Sequence, residues 1–499
     1  MTRANSGWAE LSGISLGAPA AERDIERGLE DYFVESATYE RVRLGSKRIV
    51  VGARGIGKSA IFQVLAKRER DAGSYVIELS PEDYSYELLS QTMASEDHGS
   101  WAKLGAYAVA WKYLIYVLMM KEISKKRLHL KKGAATDIYK YVRDHHSNQQ
   151  ASKLSALVSY LKRLEGIKIG KYEASMKARE LERLYKLEEI QYLLPALREV
   201  ASTRRIIVLV DELDRGWDSS EDARAFVAGL FQACISANSL HDNLRVYMSL
   251  RQELYDDVPA LYDDAQKYRD MIETIRWNDR SLLNLMARRI RHSMPGLAGA
   301  DDQACWNALF SGLPGSHGKS SYSYMIDRTL YRPREIIQFC TQAIESSTES
   351  HPAIPLRYAA VREAEHIYSA ERTRDIAAEH RFQYPGLMEV MEAFRGRSQD
   401  FARYDLEFLC LELITGEIPS SGTASWLEGC TPAALIEILW NVGFLRAQAS
   451  RDGDGPRDGA YLGAHQSSQS MVAAAKRFQV HPMFREYLDL GKTEPLQRG

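Results

Sequence analysis

The sequence predicts an α/β fold: a parallel five-stranded sheet with a long helical insertion, then a helical lid and a C-terminal winged-helix-like domain. Three observations carry this. The stretch "RIVVGARGIGKSAIFQVL" (48–65) reads as a buried strand, a glycine-rich turn and a helix. "RRIIVLVDELD" (204–214) is a strand apolar on both faces that ends in acids. Short β-rich runs alternate with helical stretches up to Trp277, after which the pattern is helical from Ser281 to about Ala370.

Taken in order, a strand ends at Val51, and the residues after Ser59 carry Ile61, Phe62, Val64 and Leu65 at helical spacing, stopping at Gly73. "SYVIELS" (74–80) is a second strand closed by Pro81, and residues 86–201 read as a helical insertion. Strands at 206–210, 244–250 and 272–277 follow. In the tail, two helices, a strand ("FLRAQ"), a polar loop, a strand ("KRFQVHP") and a last helix suggest a winged helix. The expected domains are an N-terminal extension (1–27), the α/β domain that carries the glycine-rich turn (28–280, insertion about 87–200), a lid (281–397), the winged-helix-like domain (398–490) and a tail (491–499).

Composition narrows the class. The 499 residues carry a net charge of -2, so any nucleic-acid preference must be local. The N-terminus lacks an apolar signal region, and a cytoplasmic location is expected. Five scattered cysteines, none in C-x-x-C spacing, read as buried thiols rather than a disulfide frame or zinc site. Leu104–Met120 is apolar enough to be tested as a membrane span, but Lys112 near its middle would cost ~2.5–3.5 kcal/mol there. A buried helix is the expectation.

Gly52-Ala53-Arg54-Gly55-Ile56-Gly57-Lys58-Ser59 fits G-x-x-x-x-G-K-[ST], in which backbone N–H groups cradle phosphates. Ala60 continues the helix start. Lys58 is the expected partner of the β- and γ-phosphates and Ser59 a ligand of Mg²⁺. Asp211 stands where a second Mg²⁺ contact is needed, and Glu212 where a carboxylate can polarise water. Ser249 is placed to sense the γ-phosphate. Arg251 could reach the phosphates in cis or from a neighbouring subunit, or pair with Glu253 or Asp256. In "YRPREIIQF", Arg332 and Arg334 begin a helix, where each cation is unfavourable by ~0.3–1 kcal/mol unless an anion is near. That anion is a bound triphosphate or, locally, Glu335 or Asp327.

Residues 121–180 hold fifteen Lys/Arg against six Asp/Glu, a candidate nucleic-acid or acidic-partner surface or else a solvated face. Tyr139, Tyr141, Tyr160 and Tyr172 are its candidate stacking platforms. The helix "TPAALIEILWNVG" offers no cation, so it should pack against protein rather than enter a DNA groove. His145 and His146 have no further ligand at metal spacing.

The run of phosphate loop, insertion, "VLVDELDRGWD", "MSLRQELYDDV", "IRWNDRSLLNLMARRIRHSM", "LYRPREIIQFCTQAIE" and "FQVHPMFREYL" resembles prokaryotic P-loop ATPases near the STAND, KAP and origin-recognition-like AAA+ groups, over about Gly28 to Leu490. The resemblance implies a sheet in the order 5-1-4-3-2, a catalytic Glu212, a sensor arginine at Arg334, ATP and Mg²⁺ as cofactors, and a place in bacterial anti-phage or mobile-element systems. The expected function is ATP hydrolysis coupled to conformational change. The alternatives are a nucleotide-gated scaffold for a separate effector and a DNA-associated remodelling ATPase. A protein effector, a homo-oligomer, or nucleic acid bound through 121–180 are the partners these readings call for, with no membrane.

Overall fold

The computed structural model describes residues 11–79, 100–125, 133–146, 188–213, 217, 220–258, 268–310, 320–350, 353–416, 424–449 and 459–491. The chain divides into two compact units, one formed by residues 35–276 and the other by residues 1–34 together with 277–499.

The first unit holds a sheet of five strands, β1 (Ile49–Val51), β2 (Tyr75–Leu79), β3 (Ile206–Val210), β4 (Leu244–Leu250) and β5 (Ile272–Thr274). All pairings are parallel and the order is β2-β3-β4-β1-β5, which counted from the other edge is 5-1-4-3-2. The helices are α1 (Ala37–Leu44), α2 (Lys58–Asp71), α3 (Ser100–Lys125), α4 (Ala134–His145), α5 (Leu194–Thr203) and α6 (Glu221–Asn238). Successive strand residues point to opposite faces. Ile206, Val208 and Val210 therefore share a core with α3 and α6, while Phe62 of α2 meets Tyr247 edge to face.

α3 carries the apolar stretch 104–120, and Trp111, Ile115, Met119 and Met120 are fully buried in this core. Its apolarity is that of a helix enclosed by protein. No helix among the described residues is long and apolar enough to cross a membrane. α3 packs so closely on α6 that a Cβ on Gly229 would lie 2.7 Å from the Ala108 nitrogen. Tyr141 is buried in the same core, which removes it as a stacking platform. Most of the basic segment 121–180, including Tyr160 and Tyr172, lies outside the described residues.

The second unit is mainly helical: α7 (Asp279–Ser293), α8 (Asp302–Leu309), α9 (Pro333–Ser350), α10 (Tyr358–Glu379), α11 (Arg403–Ile414) and α12 (Pro432–Asn441). The N-terminal segment belongs to it. Asp24 is buried and accepts from Tyr32 Oη (2.8 Å) and Arg289 Nη2 (2.8 Å). Beyond α10, strands β6 (Asp400–Ala402), β7 (Leu445–Gln448), β8 (Tyr461–Leu462) and β9 (Arg477–Val480) make an antiparallel sheet in the order β6-β9-β7-β8. The sequence shows only β7 and β9 of these, because β6 and β8 are too short to display a period.

Candidate functional site at the ends of three strands

β1 ends at Val51 and α2 begins at Lys58, so the glycine-rich turn spans the gap between a strand and a helix N-terminus. Gly55 (φ 75°) and Gly57 (φ 108°) take left-handed backbone, which other residues adopt only at a cost. At Gly52 the constraint is space: a Cβ would come within 2.9 Å of Ile56 Cγ2. Ile56 is buried and pins the turn from inside, while Arg54 is exposed at its tip. Lys58 Nζ donates to the carbonyls of Gly52 (2.7 Å) and Ala53 (3.0 Å), tying the first helical residue back to the start of the loop. No side chain caps α2, and the first-turn backbone of Lys58, Ser59 and Ala60 presents the positive end of the helix.

Parallel register sets what stands beside the loop. Val50 pairs with Ser249 and Val210 with Met248, so β1, β4 and β3 end side by side. Gly52 N–H donates to Leu250 O (3.2 Å), and Asp211 N–H to Leu79 O (3.2 Å). The Ser249 hydroxyl, on a residue 2% exposed, donates to Asp211 Oδ1. The same oxygen accepts the Glu212 N–H at 2.8 Å. Glu212 sits at φ 56°, a left-handed conformation that costs a non-glycine residue ~1–2 kcal/mol. The turn out of β3 is thus tight and held by the side chain of its own first residue.

Arg251 follows β4 directly, two residues after Ser249 on the same edge, and is half-buried. The loop, Asp211, Glu212, Ser249 and Arg251 all belong to the first unit, at the carboxyl ends of parallel strands, where open α/β sheets bind ligands. Asp214, Arg215, Gly216 and Asp218, the rest of the acidic motif, lie outside the described residues.

Arg332 and Arg334 belong to the second unit. Arg332 pairs with Glu379 (2.8 Å) and Glu335 (3.6 Å), so its charge is met by carboxylates of its own unit. Glu335 is buried, accepts from Leu330 N–H (2.6 Å), and has its carboxyl pushed up by burial. Asp327, the other local candidate, is taken by Arg446 at 2.7 Å. Arg334 donates from Nε to the Pro19 carbonyl at 3.3 Å.

The residues present suit a nucleotide with its metal. The glycine positions keep backbone conformations and space that a side chain would remove, and hydroxyl and carboxylate donors suit a hard cation. The Ser249–Asp211 bond is the feature that sequence reading misses, since nothing in either strand announces its neighbour's register.

Residues 280–377 match a family model described as the FunZ-associated C-terminal helical domain. Over 445 residues the chain is 24% identical to the putative transposon gamma-delta 80.3 kDa protein of Escherichia coli (strain K12), covering 86% of this chain and 61% of that protein. The chain thus spans less than two thirds of its relative's length. Among solved structures it is similar to the Drosophila ORC bound to DNA, with 14% identity, 94% of this chain and 90% of that one covered, and a TM-score of 0.30. The chain is a distant relative of a transposon-associated protein, built on a five-stranded all-parallel α/β sheet.

Proposed function

We propose that the chain is a Mg²⁺-dependent P-loop ATPase that couples nucleotide state to conformational change, in a mobile-element or defence setting. The observation that carries this reading is the convergence, in one unit, of the 52–59 loop with Asp211, Glu212 and Ser249 at adjoining strand ends. The transposon-associated relative supports the setting.

In this reading the loop N–H groups and Lys58 bind and neutralise phosphate oxygens, for which Lys58 exchanges its carbonyl partners. Ser59 and Asp211 would hold Mg²⁺, which when bound supplies charge neutralisation at the phosphates. Ser249 fixes the Asp211 carboxylate, and Glu212 orients water and accepts its proton. The strained backbone at Glu212 fits a residue whose position is set by function. Arg251 is a proposed phosphate contact, and the antiparallel tail a winged-helix-like module.

Steady-state ATP hydrolysis by the wild type beside Lys58→Ala and Glu212→Gln tests the reading. Lys58→Ala should lose both binding and turnover. Glu212→Gln should keep nucleotide binding and lose turnover by about 10²-fold or more. A wild type that holds ATP without turning it over would instead make the chain a nucleotide-gated scaffold.

A further inference from the structure

α11 is apolar on two sides. Leu406, Leu409, Cys410 and Leu413 are buried beneath it, whereas Tyr404, Phe408 and Leu411 are 76%, 53% and 45% exposed. Steps of four and three residues place those three on a single stripe of the helix. At about 100° per residue, Asp405 and Glu412 fall along one edge of the stripe and Glu407 along the other. Arg403 is the cation of this helix, and it is engaged by Glu407 (3.2 Å) and by the Ala475 carbonyl (2.8 Å). The outer face is therefore an apolar strip, two of its three members aromatic, bordered by carboxylates.

We propose that this stripe docks an amphipathic helix of a separate protein, apolar on one face and carrying lysines or arginines along the edges of that face. Tyr404 and Phe408 supply the kind of large anchors that dominate helix-mediated binding. The border selects the occupant. A basic edge gains opposite charge from Asp405 and Glu412, the border whose carboxylates face no cation of their own helix, whereas a second copy packed antiparallel would set that border against itself. Nucleic-acid phosphates and anionic lipid headgroups meet the same repulsion.

A probe of the required chemistry, with no counterpart in this chain, is the synthetic peptide SAKLLQALAKRLLQAA, whose leucines recur at helical spacing beside two lysines and an arginine. Titrated with the full chain at low salt, the labelled peptide should show saturable anisotropy. Phe408→Ser should weaken binding about tenfold or more while leaving the melting temperature unchanged. Asp405→Lys with Glu412→Lys should abolish binding, and a peptide with glutamates at its three cationic positions should bind that variant instead. Absence of binding to the wild type, or binding indifferent to these substitutions, overturns the proposal. So does a concentration-dependent dimer in sedimentation that Phe408→Ser abolishes, which gives the stripe to a second copy.

Discussion

Asp211 Oδ1 takes two donors, the Ser249 hydroxyl and the Glu212 N–H, so one atom joins the ends of β3 and β4 and the turn after β3. Ser249→Ala removes a buried bond worth about 1 kcal/mol, with little effect on folding. If Asp211 serves Mg²⁺, the same change should raise the Mg²⁺ concentration for half-maximal hydrolysis several-fold, with a smaller effect at saturation; a metal titration of both proteins checks it. Glu212→Gly separates strain from chemistry. Left-handed backbone costs the glutamate ~1–2 kcal/mol and glycine returns ~0.5–1 as chain entropy, so denaturant midpoints should show a net gain of about 0.5–1 kcal/mol with turnover lost. Stabilisation without loss of turnover would show that the acid is dispensable.

Among elements, the α3–α6 pair is set by Gly229, whose missing Cβ lets the α3 backbone approach. Gly229→Val should destabilise the first unit by ~1–3 kcal/mol, read from chemical denaturation, because two helices must part in a filled core. This contact also marks where sequence reading stops. β1 to β5 are legible because buried parallel strands write themselves as apolar runs, and the strand–turn–helix of the glycine-rich loop because its residues are consecutive. A glycine inside a helix signals only a propensity cost, and its partner lies more than a hundred residues away. Shorter separations, 38 residues for the Ser249–Asp211 bond and 47 for Arg332 and its Glu379 partner, hide those contacts as well. Strand order followed from resemblance, not from pattern, since local periodicity carries no information about neighbours.

For the molecule as a whole, acid should act on the second unit through His481, which is fully buried. Burial and the nearby Arg446 push its pKa well below the usual range. Nδ1 accepts the Met483 N–H at 3.1 Å and Arg446 Nη2 lies 2.7 Å from Nε2, so a protonated ring would set its charge against a guanidinium. The unfolded chain takes up this proton below about pH 6.5 and the folded chain does not, so stability is full above that value and falls as pH drops below it. The slope is up to ~1.4 kcal/mol per pH unit. Between about pH 6.5 and 5, above the ordinary carboxylate range, His481→Gln should flatten the fall in melting temperature. The division of the chain has a different consequence. Residues 35–276 run without interruption, and within them Thr38 and Arg41 of α1 hold Glu273 of β5, with Thr38 Oγ1 donating to Oε1 at 2.8 Å and Arg41 Nε to Oε2 at 2.9 Å. The beginning and end of this stretch are thereby fastened to each other, as in domains that tolerate insertion into a host chain. The glycine-rich loop lies within a stretch closed on itself, and a fragment of residues 35–276 should unfold cooperatively, with Glu273→Ala loosening its closure.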